Sequence, residues 1–336
     1  MKVFVTGGTG FLGLETIRAL VASGATVRAM VRDARARLPA GAEPVECRFD
    51  DSAGLPLVTA LTGCDAVLHL AGKVSRDPLD ASEMHALHVE GTQKLLAAMR
   101  AAQVKRLVLA STSGTIACSK KAGRIATEGD EAGLDVIGRW PYYVSKRLQE
   151  QVVLRAHFAR EVDAVIVNPS LLLGPGDERM SSIGDVHKIL SGRYPAITDG
   201  TVAFVDVRDA APALVSALTK GRGGEKYLLN GANMSARVFV ERVARAGDVS
   251  MPKVQLEERW GVLGAKLLDG LYHAMDRTPP TDVVSVEMAY HHWGCSSSKA
   301  EAELGFRARD PQETVADTVT DLERRGLFRR RRRTHS

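Results

Sequence analysis

An α/β fold built on a doubly wound parallel sheet is predicted by three observations. A short apolar strand at the start of the chain (Val3, Phe4, Val5) runs into a glycine-rich turn and then a helix. Strands and helices keep alternating through the first half of the sequence. The strands also read as continuous apolar runs, as strands covered on both faces must.

The turn is Thr6-Gly7-Gly8-Thr9-Gly10-Phe11-Leu12-Gly13, and Leu14, Ile17, Leu20 and Val21 follow at helical spacing. A pyrophosphate reaches the backbone N–H groups at a helix start only where no side chain intervenes, so Gly7, Gly10 and Gly13, with Phe11 and Leu12 between them, form a candidate dinucleotide site. The next strand, Thr26 to Val31, ends in Val31-Arg32-Asp33. A carboxylate there suits the ribose 2′-hydroxyl of NAD and an arginine suits the 2′-phosphate of NADP. Arg32, with Arg35 and Arg37 close behind, favours NADP(H); Asp33 keeps NAD(H) open.

A third strand is expected around Pro44 to Phe49 and a helix from about Ser52 to Leu61. A buried strand (Asp65 to His69) then enters a second turn, Leu70-Ala71-Gly72. One long amphipathic helix is expected from Ala81 to Ala102, followed by the strand Val104 to Ala110, which ends in Ser111-Thr112-Ser113. Ligands of open parallel sheets bind at strand carboxyl ends, which puts Ser111 and Ser113 where chemistry would occur. A polar loop (120–139) leads to a helix opened by Pro141, then to the strand Asp163 to Asn168. After residue 170 the alternation becomes irregular, which suggests a smaller substrate-covering portion. The expected division is 1–170 for dinucleotide binding, with about 201–230 returning to it, 171–328 mainly for substrate, and 329–336 as a basic tail.

Composition agrees with an ordinary globular chain: 336 residues, 45% hydrophobic and 25% charged. Arg329–Arg333 supply all of the net charge of +5, so the folded body is neutral and a nucleic-acid partner is not expected. Cys47, Cys64, Cys118 and Cys295 form no paired motif, which argues against a metal site and for reduced thiols in a cytoplasmic protein. No apolar run is long enough to span a membrane, and a strand beginning at residue 2 leaves no room for a signal peptide.

Tyr142 and Lys146 stand four residues apart, one turn apart on one helix face. A lysine ammonium beside a phenol is expected to favour the phenolate and bring its pKa towards neutrality, making a usable acid–base pair. Ser113 is placed to hydrogen-bond a substrate carbonyl oxygen.

Together the glycine turn, the Ser111-Thr112-Ser113 strand end and Tyr142-x-x-x-Lys146 resemble an extended short-chain dehydrogenase/reductase over residues 1 to about 325. That group contains nucleotide-sugar epimerases, dihydroflavonol reductases and 3β-hydroxysteroid dehydrogenases. The resemblance implies Ser113, Tyr142 and Lys146 as the catalytic residues, with Lys146 also holding the nicotinamide ribose. It implies Leu70, Ala71 and Gly72 along the cofactor diphosphate and ribose, Asn168, Pro169, Ser170 and Leu171 beside the nicotinamide, Ser181 and Ser182 near the phosphates, and a homodimer through the two long helices. Where the family often has Asp-Leu near the adenine, this chain has Arg48-Phe49, and Arg48 adds to the pull on a 2′-phosphate. Where the family usually has asparagine, it has His88, expected to be structural, like His69.

Between Leu171 and Ile197 stand Leu171, Leu172, Leu173, Ile183, Ile189 and Leu190, with Arg179 and Arg193 as the only arginines, and a helix from Trp260 to Met275 carries a stripe (Leu263, Leu267, Leu271, Met275) expected to pack into the core. These features favour an NADP(H)-dependent reductase of a small-molecule carbonyl, an apolar ketone or cyclic enone. The alternatives are an NAD-dependent nucleotide-sugar epimerase or dehydratase and a non-catalytic dinucleotide-binding regulator.

Overall fold

A computed structural model describes residues 1–50, 55–194, 196–275 and 282–330. Residues 52–54 of the expected second helix and Arg331–Arg333 of the basic run lie outside the described residues. Among the described residues a seven-stranded, all-parallel sheet has the order β3-β2-β1-β4-β5-β6-β9. Its strands are β1 (Lys2–Thr6), β2 (Thr26–Val31), β3 (Ala42–Glu46), β4 (Ala66–His69), β5 (Arg106–Ala110), β6 (Asp163–Pro169) and β9 (Lys226–Leu229). The order reverses between β1 and β4, where their carboxyl ends, Thr6 and His69, lie side by side. Such a reversal opens a crevice for a ligand. β3 begins and ends earlier than expected, so Arg48 and Phe49 lie in the loop beyond it.

Two apolar clusters cover the sheet. Val3, Val5, Ile17, Leu20, Val108 and Leu214 belong to one face, and Phe4, Val67, Leu95, Met99, Leu107 and Ile166 to the other. Alternate residues of a strand point to opposite faces, and both sets are apolar because helices lie on both sides.

A smaller sheet, in the order β10-β8-β7, contains β7 (Leu171–Leu173), β8 (Thr201–Asp206) and β10 (Ala232–Ser235). A third cluster, including Phe204, Phe239, Val243 and Val319, packs beneath it. β7 and β10, which are short, are not legible as strands in the sequence.

Three expectations need correction. The long helix is interrupted: Ala81–His85 is α-helical, Ala86–Glu90 forms a π-turn, and Gly91–Ala101 resumes the α-helix. The loop before Pro141 contains a short helix, Leu134–Ile137. Most consequentially, the Leu263, Leu267, Leu271 and Met275 stripe is not core; Leu267 is 67% exposed and Leu271 56%. It lies on helix Glu258–Ala274, which packs by its small residues instead. Gly261 and Ala265 are buried, and a Cβ on Gly261 would meet the Tyr290 hydroxyl at 2.1 Å. Close approach selects the glycine face and leaves the leucines outside.

The glycine turn shows the same constraint. A Cβ on Gly13 would lie 2.1 Å from the Gly7 carbonyl oxygen. Gly7 has a positive φ of 71°, and a Cβ there would lie 2.6 Å from the Leu70 and Ala71 backbone, so the first and second turns fit together only without side chains. Gly13→Ala is expected to destabilise the chain by about 1–3 kcal/mol, measured as a lower urea midpoint; an unchanged midpoint would show that the turn has room to spare.

Candidate active site

Helix Phe11–Ala22 begins at Gly10, which offers no side-chain cap, so the first N–H groups of the helix are left for an outside acceptor. Leu70, Ala71 and Gly72 follow β4 directly, and Ala71 N–H donates to Thr6 Oγ1 at 3.2 Å. A buried chain continues inward: Thr6 Oγ1 lies 2.6 Å from His69 Nδ1, and His69 Nε2 lies 2.8 Å from Thr92 Oγ1. Burial pushes the His69 imidazole down to about 3, so it stays neutral at working pH.

At the outer edge, Arg32 is exposed just after β2, and Arg48 Nη2 donates to its carbonyl at 3.4 Å. The contact brings the Arg48 guanidinium to the Arg32 backbone. Asp33, the residue that kept NAD open, is held by Arg35 at 2.9 Å. Phe49 turns the other way and meets His69 edge-on, with ring centroids 5.8 Å apart.

β5 ends at Ala110, and Ser111, Thr112 and Ser113 follow, the last in a short 3-10 turn. Facing them, helix Pro141–Phe158 carries Tyr142 and Lys146. Ser111, Ser113, Tyr142, Pro169, Ser170 and Leu171 share the wall of one cavity of about 460 Å³. Leu12 of the glycine turn reaches the same cavity, while Gly7, Gly10 and Gly13 lie outside its lining. Ser181 and Ser182 also line it, anchored by buried Asp177 through Ser181 Oγ (3.0 Å) and the Ser182 N–H (2.7 Å).

The acid–base pair differs from expectation. Lys146 is almost fully buried, and its ammonium donates to the Ala110 carbonyl at 2.8 Å and to Gln149 Oε1. Burial lowers its pKa to about 8, with the charge of Glu150 opposing the drop. Burial pushes the Tyr142 phenol up to about 12, a hydrogen bond with the Thr112 side chain offsets part of that, and the Glu150 charge adds to the rise. The phenol therefore carries the proton, as a donor must, but its pKa moves up rather than towards neutrality.

Spacing alone did not reveal three neighbours of the pair. His88, brought round by the π-turn, meets Tyr142 edge-on at 6.0 Å, and its Nδ1 lies 2.8 Å from Ser145 Oγ. Gln149 reaches from Lys146 to Thr92 Oγ1 at 2.9 Å. Glu150 accepts hydrogen bonds from the ends of β5 and β6. The i+3 and i+4 offsets of Gln149 and Glu150 from Lys146 were the available signal.

Two buried polar atoms at the end of β6, Asn168 Oδ1 and Ser170 Oγ, have no hydrogen-bond partner. Buried polar groups are normally paired, so a site that receives a polar ligand accounts for them. With the uncapped helix start and the close-fitting glycine turns, these residues fit a dinucleotide. Among the described residues no cluster of His, Cys, Asp or Glu could hold a metal ion, and no helix is long and apolar enough to cross a membrane.

Residues 3–229 match the NAD dependent epimerase/dehydratase family, and the chain belongs to it. It is thus an NAD(P)-dependent oxidoreductase of the extended short-chain dehydrogenase/reductase type. Among named relatives, sterol demethylase protein B of Methylococcus capsulatus is 29% identical, with 98% of this chain and 100% of that one covered. The 4-hydroxy-2-methyl-3-oxo-4-farnesyl-3,4-dihydroquinoline-1-oxide ketoreductase of Stigmatella aurantiaca is 29% identical, with 95% and 96% covered. The crystal structure of gox2253 superposes with a TM-score of 0.83 at 29% identity, covering 97% of this chain and 99% of that one. The UDP-glucose 4-epimerase of Thermus thermophilus, solved with NAD, shares the fold at a TM-score of 0.72 and 22% identity, with 96% and 99% covered.

The pKa of Lys146 has a thermodynamic consequence. Its folded value, about 8, lies below the ordinary 10.5, so the buried charge costs stability below pH 8 and ceases to do so above 10.5. The stability of the wild type relative to Lys146→Met is expected to rise by about 3 kcal/mol between those limits, measured by chemical denaturation across the range. A flat difference would show that the lysine keeps its ordinary value.

Proposed function

We propose that this chain is an NADP(H)-dependent reductase of an apolar ketone or cyclic enone, with Tyr142 as proton donor. The observation that carries the reading is the cavity over Ser113 and Tyr142, whose far walls are apolar. Trp260, Ala265 and Leu268 of helix Glu258–Ala274 form its roof, while Trp140, Met288 and Trp293 close one side. Of the cations in the lining, Arg76 is taken up by Asp185 at 3.0 Å and Ser285 at 2.7 Å, Lys188 lies 3.7 Å from the same Asp185, and Arg193 meets Ser191 and His187, so two of the three are already committed to a carboxylate. The names of the two relatives, a sterol enzyme and a farnesylquinoline ketoreductase, support an apolar substrate.

When bound, NADPH supplies the hydride. The substrate oxygen sits between Ser113 and Tyr142, accepting a hydrogen bond from each hydroxyl, so developing negative charge meets two donors. Tyr142 then yields its proton to that oxygen. A phenol held protonated suits reduction, where the resting residue must carry the proton, and the oxygen it meets becomes strongly basic only as hydride arrives. Lys146, one helical turn from Tyr142, carries its positive charge below its value of about 8 and so opposes the negative charge that forms as the phenol gives up its proton. The exposed Arg32 just beyond β2, the Arg48 guanidinium at its backbone, and the engagement of Asp33 by Arg35 support the 2′-phosphate and therefore NADP(H).

Tyr142→Phe is expected to reduce NADPH-dependent ketone turnover by about 10²–10⁴-fold while leaving NADPH binding unchanged; retained turnover would remove Tyr142 from the mechanism. By calorimetry, Arg32→Ala is expected to weaken NADPH binding about 10-fold or more relative to NADH, since a charge-assisted contact is lost with only one of them. Equal weakening of both would put the 2′-phosphate elsewhere.

A further inference from the structure

Glu150 lies one turn beyond Lys146 on the same helix and is 1% exposed. Its Oε1 accepts a hydrogen bond from Ser111 Oγ and one from Asn168 Nδ2 at 2.8 Å, and lies 2.8 Å from Thr115 Oγ1. Its Oε2 meets Lys226 Nζ at 2.7 Å. One side chain thus ties the helix of the acid–base pair to the ends of β5 and β6 and to the start of β9. Burying a carboxylate costs several kcal/mol before its partners are counted, and packing alone would be served by an apolar residue.

We infer that Glu150 is a positioning residue: it fixes the strand ends that present Ser113 to Tyr142, and it places a buried carboxylate one helical turn from Lys146 as a counter-charge. The inference rests on the reductase reading for its purpose, but not for its test. The oxygens of a carboxylate accept from all these donors at once, whereas a glutamine amide nitrogen cannot accept from Lys226. Asn168 Nδ2 also donates to the Thr112 carbonyl at 3.0 Å, so the clamp reaches the residue next to Ser113.

The electrostatics support the geometry. The Glu150 charge raises the pKa of both Lys146 and Tyr142. Tyr142 and Lys146 on its own helix and Lys226 on β9 face the carboxylate, while His69 on β4 and His88 on the π-turn face Lys146. Burial keeps both imidazoles neutral, so Lys146 and Lys226 are the cations that share its field.

The test follows the Lys146 ammonium in the full-length protein by NMR with ¹³Cε-labelled lysine, and needs no substrate. Glu150→Gln is expected to lower the Lys146 midpoint by about one pH unit, because the attracting charge is gone. Lys226→Met is expected to raise it, because the same carboxylate is no longer shared. Shifts of opposite sign cannot arise from general loosening of the fold. If Glu150→Gln does not fold, Glu150→Asp, which draws the carboxylate back by one methylene, is measured instead: a downward shift, which loosening of a buried site cannot give, supports the inference, and no shift or an upward one overturns it. Midpoints that stay put in both variants, or that move the same way, also overturn it. Absence of ketone reduction by the wild type alongside the expected shifts would remove the reductase reading and leave the electrostatic role of Glu150 in place.

Discussion

A lysine ammonium buried at the carboxyl end of a parallel sheet is the constraint on which this site depends. Such a charge is tolerated only if its donors are met and a counter-charge lies near. Here the Ala110 carbonyl and Gln149 take hydrogen bonds, and Glu150 supplies the charge. Each partner is itself held: Gln149 by Thr92, and Glu150 by Ser111, Asn168 and Lys226. The consequence is a connected polar layer between β1 and β9, lying under the cavity where a carbonyl would react. Replacing any one member would strand the next, since a partly satisfied buried network costs more than an apolar one.

Around that layer the backbone is built for close approach. Two glycine turns interlock at the reversal point between β1 and β4, and the helix roof lies over the cavity by Gly261 and Ala265. The same device, omission of a Cβ, therefore serves the dinucleotide crevice and the cavity lid. It also leaves the roof helix with an apolar outer row, because the small residues have taken the packed face.

Much of this was legible in the sequence. The sheet was, because apolar runs alternating with amphipathic helices have few other solutions. The glycine turn and the Tyr142–Lys146 pair were, because both are local patterns with fixed spacing. What the sequence concealed depends on distant contacts. Ala110 lies 36 residues from the lysine it accepts from, and Lys226 lies 76 from Glu150. The Tyr142 pKa was misread because spacing puts the lysine on the same face but says nothing about which oxygen the ammonium chooses. The leucine stripe was misread because helical periodicity identifies an apolar face without showing whether a closer-packing face competes with it. The π-turn that swings His88 against Tyr142 has no signature in Ala86–Glu90 at all.

The central claim is that hydride leaves the cofactor for good and ends on an apolar carbonyl compound. The most direct measurement is absorbance at the reduced nicotinamide band while the protein turns over NADPH with a panel of apolar ketones and, separately, NAD with UDP-sugars. Net loss of the band with a ketone is the predicted result. Conversion of a nucleotide sugar with no net change in the band would contradict it, since hydride would then be leaving the sugar and returning to it.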